Sequence, residues 1–156
     1  MPLLLRTVRQ NRWLKEAAAP FLAMDDVPAD PISDLATQQN LLSVWEVVED
    51  RSNVERIVRA VAIGRDKIAD MGYVVFHSGL LSGIEIRVDV GTSQDNVANA
   101  WHRDLVVSGN KLVALTMAIL RDGESGTVLK NRLLELVRED LRTGQIPERL
   151  RTKFGL

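Results

Sequence analysis

Histidine is the side chain best suited to acid–base chemistry or metal binding near neutral pH. The chain contains two, His77 and His102, and no cysteine. His77 ends a predicted strand and is followed by Ser78 and Gly79, a position from which side chains often reach a cleft. It is therefore a candidate general base or metal ligand. The alternative is an ordinary surface histidine, because function requires a complete site and one residue does not make one.

Glu85 and Asp89 are candidate carboxylate partners for His77, and they share the polar face of a predicted strand with Arg87 between them. Two carboxylates on one sheet face could bind a divalent cation or divide acid and base roles. Residues four apart along a strand, however, are about 13 Å apart, too far to share one ion. The spacing favours a solvated row of alternating charges.

His102, Arg103 and Asp104 form the tripeptide found in protein-kinase catalytic loops. No glycine-rich phosphate loop precedes it, and no asparagine follows at the required spacing. The tripeptide also falls within a predicted helix, where His102 and Asp104 would point in different directions. The sequence therefore predicts no site at these residues.

Acidic and basic residues are concentrated in different parts of the chain: an acidic segment follows the N-terminal region, and both ends are basic. No Lys or Arg occurs from Ala17 to Asp50, and this stretch includes Asp25, Asp26, Asp30 and Asp34. It lacks the central glycine and terminal glutamate of a calcium-binding EF-hand loop. Basic residues recur near the two ends: Arg6, Arg9, Arg12, Lys15, Arg142, Arg149, Arg151 and Lys153. They could contact phosphates, pack against the acidic segment or form ordinary solvated faces.

Composition excludes several classes of function. The net charge of −1 and the pI near 6.1 give no overall attraction to nucleic acid or anionic membranes. The absence of cysteine excludes disulfides, thiolate catalysis and Cys-ligated metal sites. No nucleotide-binding glycine loop and no nucleophile elbow is found. No cofactor and no metal site are predicted.

Hydrophobic periodicity predicts the elements that position these residues. Apolar residues at helical spacing predict helices over 53–70, 96–120 and 126–143. The middle one is taken as a single long helix because its apolar stripe stays in phase across Gly109, although Ser108–Asn110 could be a turn between two helices. Alternation and β-branched residues predict strands over 3–8, 41–48, 73–76 and 83–90.

These elements predict an α+β fold: a small, mainly antiparallel sheet of three to four strands with about three helices packed on one face. We expect one domain over 1–156, with an irregular, acidic, proline-containing segment at 17–40 and a basic C-terminal tail at 144–156. No apolar stretch is long enough to span a membrane, and the start lacks the features of a secretory signal. A cytoplasmic location is the expectation that follows.

The absence of an assembled catalytic site favours a non-catalytic interaction domain, an adaptor or accessory subunit that binds a protein partner or its own copy. Trp13 with Arg9 and Arg12 could anchor such an interface, since Trp and Arg are enriched at binding hot spots, or Trp13 could cap the core edge. The other expected contact residues are acidic or C-terminal: Asp25, Asp26, Asp30, Arg149 and Arg151. Two alternatives remain open: a small enzyme or ligand-binding domain that uses His77, and nucleic-acid binding through the basic ends.

Overall fold

The computed structural model describes residues 1–9, 13 and 26–156 of the chain. Within them, six strands form one antiparallel sheet in the order β4-β5-β2-β1-β3-β6. The strands are β1 Leu3–Val8, β2 Leu41–Val47, β3 Met71–His77, β4 Glu85–Val88, β5 His102–Val106 and β6 Glu124–Val128. The predicted α+β class and antiparallel sheet are confirmed, but the sheet is larger than the three to four strands expected.

Six α-helices occur in the described residues. They are α1 Ala29–Leu35, α2 Val54–Ala62, α3 Asn96–Asn99, α4 Gly109–Asp122, α5 Lys130–Thr143 and α6 Arg149–Phe154. Twice as many helices are therefore present as the sequence predicted. Among the described residues, none of these helices combines the length and apolar character that a membrane span requires.

The sheet has a hydrophobic core on each face, because successive side chains of a strand point to opposite sides. Leu5 and its neighbours pack beneath α2, α5 and α6 in a core that includes Trp45, Ile57, Val75, Leu133 and Leu150. Leu4 points the other way and packs beneath α1 and α4 with Leu35, Phe76, Leu105 and Ile119. The prediction that the helices pack on one face is therefore wrong. Both faces of the central strands are buried.

The predicted long helix at 96–120 is wrong and is replaced by α3, β5 and α4. Val97, Trp101 and Leu105 step by four residues, which suits one helix face but is also two full periods of a strand. The strand conformation prevails because β5 pairs with strands on both sides and buries Leu105 in the core. The helix resumes at Gly109, so the alternative of a turn at Ser108–Asn110 is closer to the observed chain path.

Other element boundaries differ from prediction in smaller ways. The first predicted helix ends early, at Ala62, and the last begins late, at Lys130, because 124–128 forms an edge strand instead. The predicted irregular segment 17–40 contains α1, and the predicted tail 144–156 contains α6. β1 matches its predicted bounds and β2 ends one residue earlier than predicted, whereas β3 extends beyond the predicted 73–76 at both ends.

Candidate metal centre

The β4 side of the sheet brings together polar side chains from three neighbouring strands. In the ladder between β5 and β2, His102 lies opposite Trp45 and Asp104 lies opposite Ser43. Residues two apart on a strand share a face, and so do residues directly opposite one another. His102, Asp104 and Ser43 therefore all point to the same side of the sheet. Asp89 directly follows β4 and reaches this side next to His102.

Asp89, His102 and Asp104 converge closely enough to hold one ion. Each residue offers a ligand atom, and these three atoms all lie within 4.8 Å of one another. His102 and Asp104 are buried, whereas Asp89 is exposed. The Ser43 hydroxyl donates to Asp104 Oδ1 at 3.0 Å, which orients that carboxylate. The cluster is therefore half-buried and accessible from one side.

The contacts of the His102 ring define which nitrogen faces the carboxylate. Nδ1 lies 3.2 Å from the carbonyl oxygen of Asp89, and a carbonyl oxygen can only accept, so this contact is a hydrogen bond when Nδ1 carries the proton. In the neutral ring, Nε2 then presents a lone pair to Asp104 Oδ1, 3.8 Å away. Two acceptors in this arrangement repel unless a proton or a cation lies between them. The indole of Trp45 holds the ring in place by an edge contact, with ring centres 5.3 Å apart.

A hollow of about 290 Å³ opens beside the cluster. His102 and Ser43 line it together with residues of β2, of α2 and the turn after it, and of the 91–99 segment: Trp45, Ala60, Val61, Gly64, Gly91, Thr92, Ser93 and Asn99. Gly91 is required at its position, because a Cβ there would lie 2.8 Å from Asn99 Oδ1 and 3.0 Å from the Cβ of His102. The loop that carries Asp89 therefore passes directly against the imidazole.

Asp95 orders the same loop through a buried ion network. Its carboxylate accepts from the backbone N–H groups of Val97 and Ala98 at the start of α3 and pairs with Arg59 at 2.7 Å and Arg56 at 2.8 Å. Asp95 and Arg59 are only 1% and 2% exposed. The network thus ties the loop around the hollow to α2.

The electrostatic balance within this network favours charged Asp95. Burial alone would raise the pKa of Asp95, but hydrogen bonds from Arg56 and the charge of Arg59 offset burial and hold that pKa below its ordinary value. Burial lowers the pKa of Arg59 against the opposing charges of Asp140 and Asp95. Burial also raises the pKa of Asp140, the second partner of Arg59 at 2.9 Å. Of Asp95, Arg59 and Asp140, only Asp95 has a pKa shifted in favour of its charged form despite burial.

The geometry does not match nucleophilic catalysis by serine. A serine nucleophile needs its hydroxyl hydrogen-bonded to a histidine base. Ser43 instead donates to Asp104, which lies between the hydroxyl and His102. The arrangement suits the holding of a cation by nitrogen and oxygen ligands, with Ser43 as an outer hydrogen-bond donor.

His77 lies far from the carboxylates proposed as its partners. It ends β3, and three strands separate β3 from β4 in the sheet, a distance of about 19 Å at the usual strand spacing. His77 is exposed and lies near Glu124. Glu85 pairs with Arg87 at 2.8 Å, and this hydrogen bond holds the pKa of Glu85 below its ordinary value. Of the three predicted candidates, only Asp89 belongs to the cluster.

Several predicted interaction residues near the N-terminal segment have partners within the chain. Trp13 is buried in the core beneath α1, and its indole N–H donates to Asp34 at 2.8 Å. The backbone N–H of Arg9 donates to the same carboxylate at 2.6 Å. Asp26 and Asp30 are exposed. Arg12 and Asp25 lie outside the described residues.

The two C-terminal arginines also have partners: Arg149 hydrogen-bonds Gln94, and Arg151 pairs with Glu148. Both belong to α6, which packs on the same face of the sheet as α2 and α5. Both guanidinium groups therefore already contact side chains of this chain.

Sequence reasoning missed His102 and Asp104 because it placed them in a helix. The signal that could have found them is their spacing of two, which brings side chains to one face only in a strand. Comparison of the chain with protein-family models, curated proteins and solved structures finds no match.

Proposed function

We propose that this protein binds a divalent transition-metal ion through His102, Asp104 and Asp89. The observation that carries the proposal is the distance of 3.8 Å between His102 Nε2 and Asp104 Oδ1, which is too long for a direct hydrogen bond. Two ligands that each lie 2.0–2.2 Å from one zinc-like ion are about 3.4 Å apart at the tetrahedral angle. The observed separation is therefore close to that of two ligands on a shared ion.

The ligand set indicates the class of ion. One imidazole and two carboxylates suit Zn²⁺, Mn²⁺, Fe²⁺ or Co²⁺, whereas Mg²⁺ and Ca²⁺ prefer oxygen ligands alone. The Nδ1 contact with the Asp89 carbonyl and the Ser43 hydrogen bond to Asp104 are the outer contacts that usually orient metal ligands. We therefore expect transition metals to bind more tightly than calcium or magnesium.

Three protein ligands leave at least one coordination position open, and the hollow beside His102 provides space for it. Sites with this open position activate a bound water or polarise an oxygen of a ligand. The site therefore favours metal-assisted hydrolysis or the binding of a small oxygen-containing molecule over a purely structural ion.

The direct test is calorimetric titration of the full-length, chelator-treated protein with Zn²⁺, Mn²⁺, Mg²⁺ and Ca²⁺. We expect one transition-metal ion per chain. His102→Gln should lower its affinity at least about a hundredfold, since it removes a first ligand. Asp89→Asn should weaken binding without affecting the fold, because Asp89 is exposed.

His77→Gln is the matched control, because it removes the other histidine at an exposed position outside the cluster. It should bind metal as the wild type does. Absence of binding by the wild type, or equal loss in His77→Gln and His102→Gln, would contradict the proposal. Circular dichroism of each variant separates loss of ligand from loss of fold.

A further inference from the structure

The strand β4 forms one edge of the described sheet and is exposed on both faces. It pairs only with β5 among the described strands. The alternation of Ile84, Ile86, Val88 and Val90 predicted a strand with one buried apolar face. Instead, Ile86 is 41%, Val88 80% and Val90 73% exposed. In the part of the chain that the structure describes, this edge therefore presents unpaired backbone groups and a row of apolar side chains to the surface.

The opposite edge, β6, differs in chemistry. Its exposed Glu124 pairs with Arg51, and Gly126 lies against the ring of Tyr73. Val128, its one large apolar residue, is buried. Polar or charged residues are the usual means by which edge strands avoid further pairing. β6 has this protection, whereas β4 exposes large apolar residues.

The sequence of β4 is complementary to itself in the antiparallel direction. If two copies pair about Ile86, Ile86 meets its own copy and Ile84 meets Val88 of the other chain. Glu85 then lies opposite Arg87 of the other chain, twice by symmetry. Opposite charges and apolar pairs in these positions each stabilise a sheet, whereas like charges destabilise it. Pairing centred on Arg87 would instead oppose Arg87 to itself.

We propose that two copies of this chain associate through antiparallel pairing of their β4 strands, centred on Ile86. The two six-stranded sheets then become one continuous sheet, with a two-fold axis at the interface. The regular strand is Glu85–Val88, so this register uses the whole strand together with Ile84, which directly precedes it. It leaves Asp89 outside the paired residues, so the interface uses none of the three residues of the metal cluster.

The proposed interface is small, because it involves one short strand from each chain. Interfaces of this size are generally weak, so we expect a reversible dimer whose population rises with protein concentration. Sedimentation velocity of the full chain over a range of concentrations should show growth of a species at twice the chain mass of 17.4 kDa.

Val88→Lys tests the apolar part of the interface at a position too exposed to disturb folding. It should raise the dissociation constant at least about tenfold, since it removes two apolar pairs and adds two charges. Leu129→Lys is the matched control, because Leu129 is 60% exposed and follows the opposite edge strand. A wild type that stays monomeric at all concentrations, or equal weakening by both variants, would overturn the proposal.

Exchange of the charges at Glu85 and Arg87 tests whether the two strands pair about Ile86. Arg87→Glu should weaken the dimer by opposing Glu85 of the other chain, and Glu85→Arg added to it should restore the affinity. Arg87 also lies opposite Asp104 of its own chain, so circular dichroism checks that the fold survives the exchange. Failure of a folded double variant to recover would contradict pairing about Ile86. Metal titration of Val88→Lys distinguishes this inference from the proposed function, because Val88 lies opposite Arg103 and therefore on the other face of the sheet from Asp104.

Discussion

His102 Nε2 lies 3.8 Å from Asp104 Oδ1, two residues further along the same strand. This relationship exists only because 102–106 is a strand, since a helix would direct the two side chains about 200° apart. Neighbouring strands supply the two remaining components, Ser43 from β2 and Asp89 from the end of β4. The proposed site therefore exists only when β2, β5 and the end of β4 are correctly paired. Substitutions that disturb this pairing or the adjoining loop should weaken metal binding.

Ser43→Ala should weaken metal binding about tenfold, in the range found for loss of a contact that orients a ligand. The substitution removes the hydroxyl that donates to Asp104 Oδ1 and leaves all three proposed ligands intact. Calorimetric titration with Zn²⁺ measures the change. Ser125→Ala, on β6, is the control. Unchanged affinity in Ser43→Ala would show that the hydroxyl does not orient the carboxylate.

Asp95→Asn should lower the free energy of unfolding by about 3 kcal/mol or more, the usual effect of breaking a buried ion pair from one side. The change leaves the charge of Arg59 buried with only Asp140 opposite it. Urea denaturation measures the loss. The control is Glu139→Gln, which removes an exposed ion pair with Arg142 and should leave stability nearly unchanged. Similar losses in both variants would contradict this account.

The depressed pKa of Asp95 gives stability a defined dependence on acid. Unfolded Asp titrates near pH 3.9, and the folded pKa lies lower because Arg56 and Arg59 offset burial. The stabilising contribution is therefore complete above about pH 4 and is lost as the pH falls through the folded pKa.

Asp95→Asn should flatten the stability profile below about pH 4, as measured by denaturation at several pH values. Asp140→Asn should not do so, because burial raises the pKa of Asp140 and its contribution has the opposite sign. If the free energy of unfolding of Asp95→Asn falls below pH 4 as steeply as that of the wild type, Asp95 is not the source of the acid dependence.

Gly91→Ala should weaken both metal binding and stability. A Cβ at this position meets Asn99 Oδ1 at 2.8 Å and the Cβ of His102 at 3.0 Å, so the loop must move away from the imidazole. Insertion of a methyl group into a packed site generally costs about 1–3 kcal/mol. Denaturation and Zn²⁺ titration measure the two effects.

Gly109→Ala is the matched control, since a Cβ there meets nothing within 4 Å. It should be neutral or slightly stabilising, because it also restricts the unfolded chain. If Gly91→Ala behaves in the same way, the hollow is less tightly packed around the ring than its contacts indicate.

Local sequence patterns predicted much of the sheet but not its extent. Leu3–Val8 is a strand in prediction and structure alike, because both of its faces are apolar enough to be buried in a central position. A step of four residues fits both the helix and the strand period, and Val97, Trp101 and Leu105 in fact lie in α3, in a turn and in β5. Only pairing with β2 and β4 resolves the ambiguity, and pairing is a long-range interaction.

The candidate site depended on that one ambiguity. With 102–106 assigned to a helix, His102 and Asp104 could not meet, and Asp89 was assigned to His77, which the structure places three strands away. The burial of Arg59 was equally hidden, because its amphipathic helix gives no indication that a loop aspartate, Asp95, supplies the opposing charge. Sequence spacing reveals contacts within an element, whereas this site is built across strands.

The attachment of β4 to the sheet has a consequence for how an ion would leave. Among the described strands, β4 and β6 are each held by one neighbour, but β4 is exposed along its length whereas β6 buries Val128. β4 can therefore detach with little loss of core packing. Such fraying would carry Asp89 away from His102 and Asp104, so ion release would need no global unfolding. Conversely, an ion bound by Asp89, His102 and Asp104 would hold β4 against β5. It would therefore slow amide hydrogen exchange in β4 before other strands.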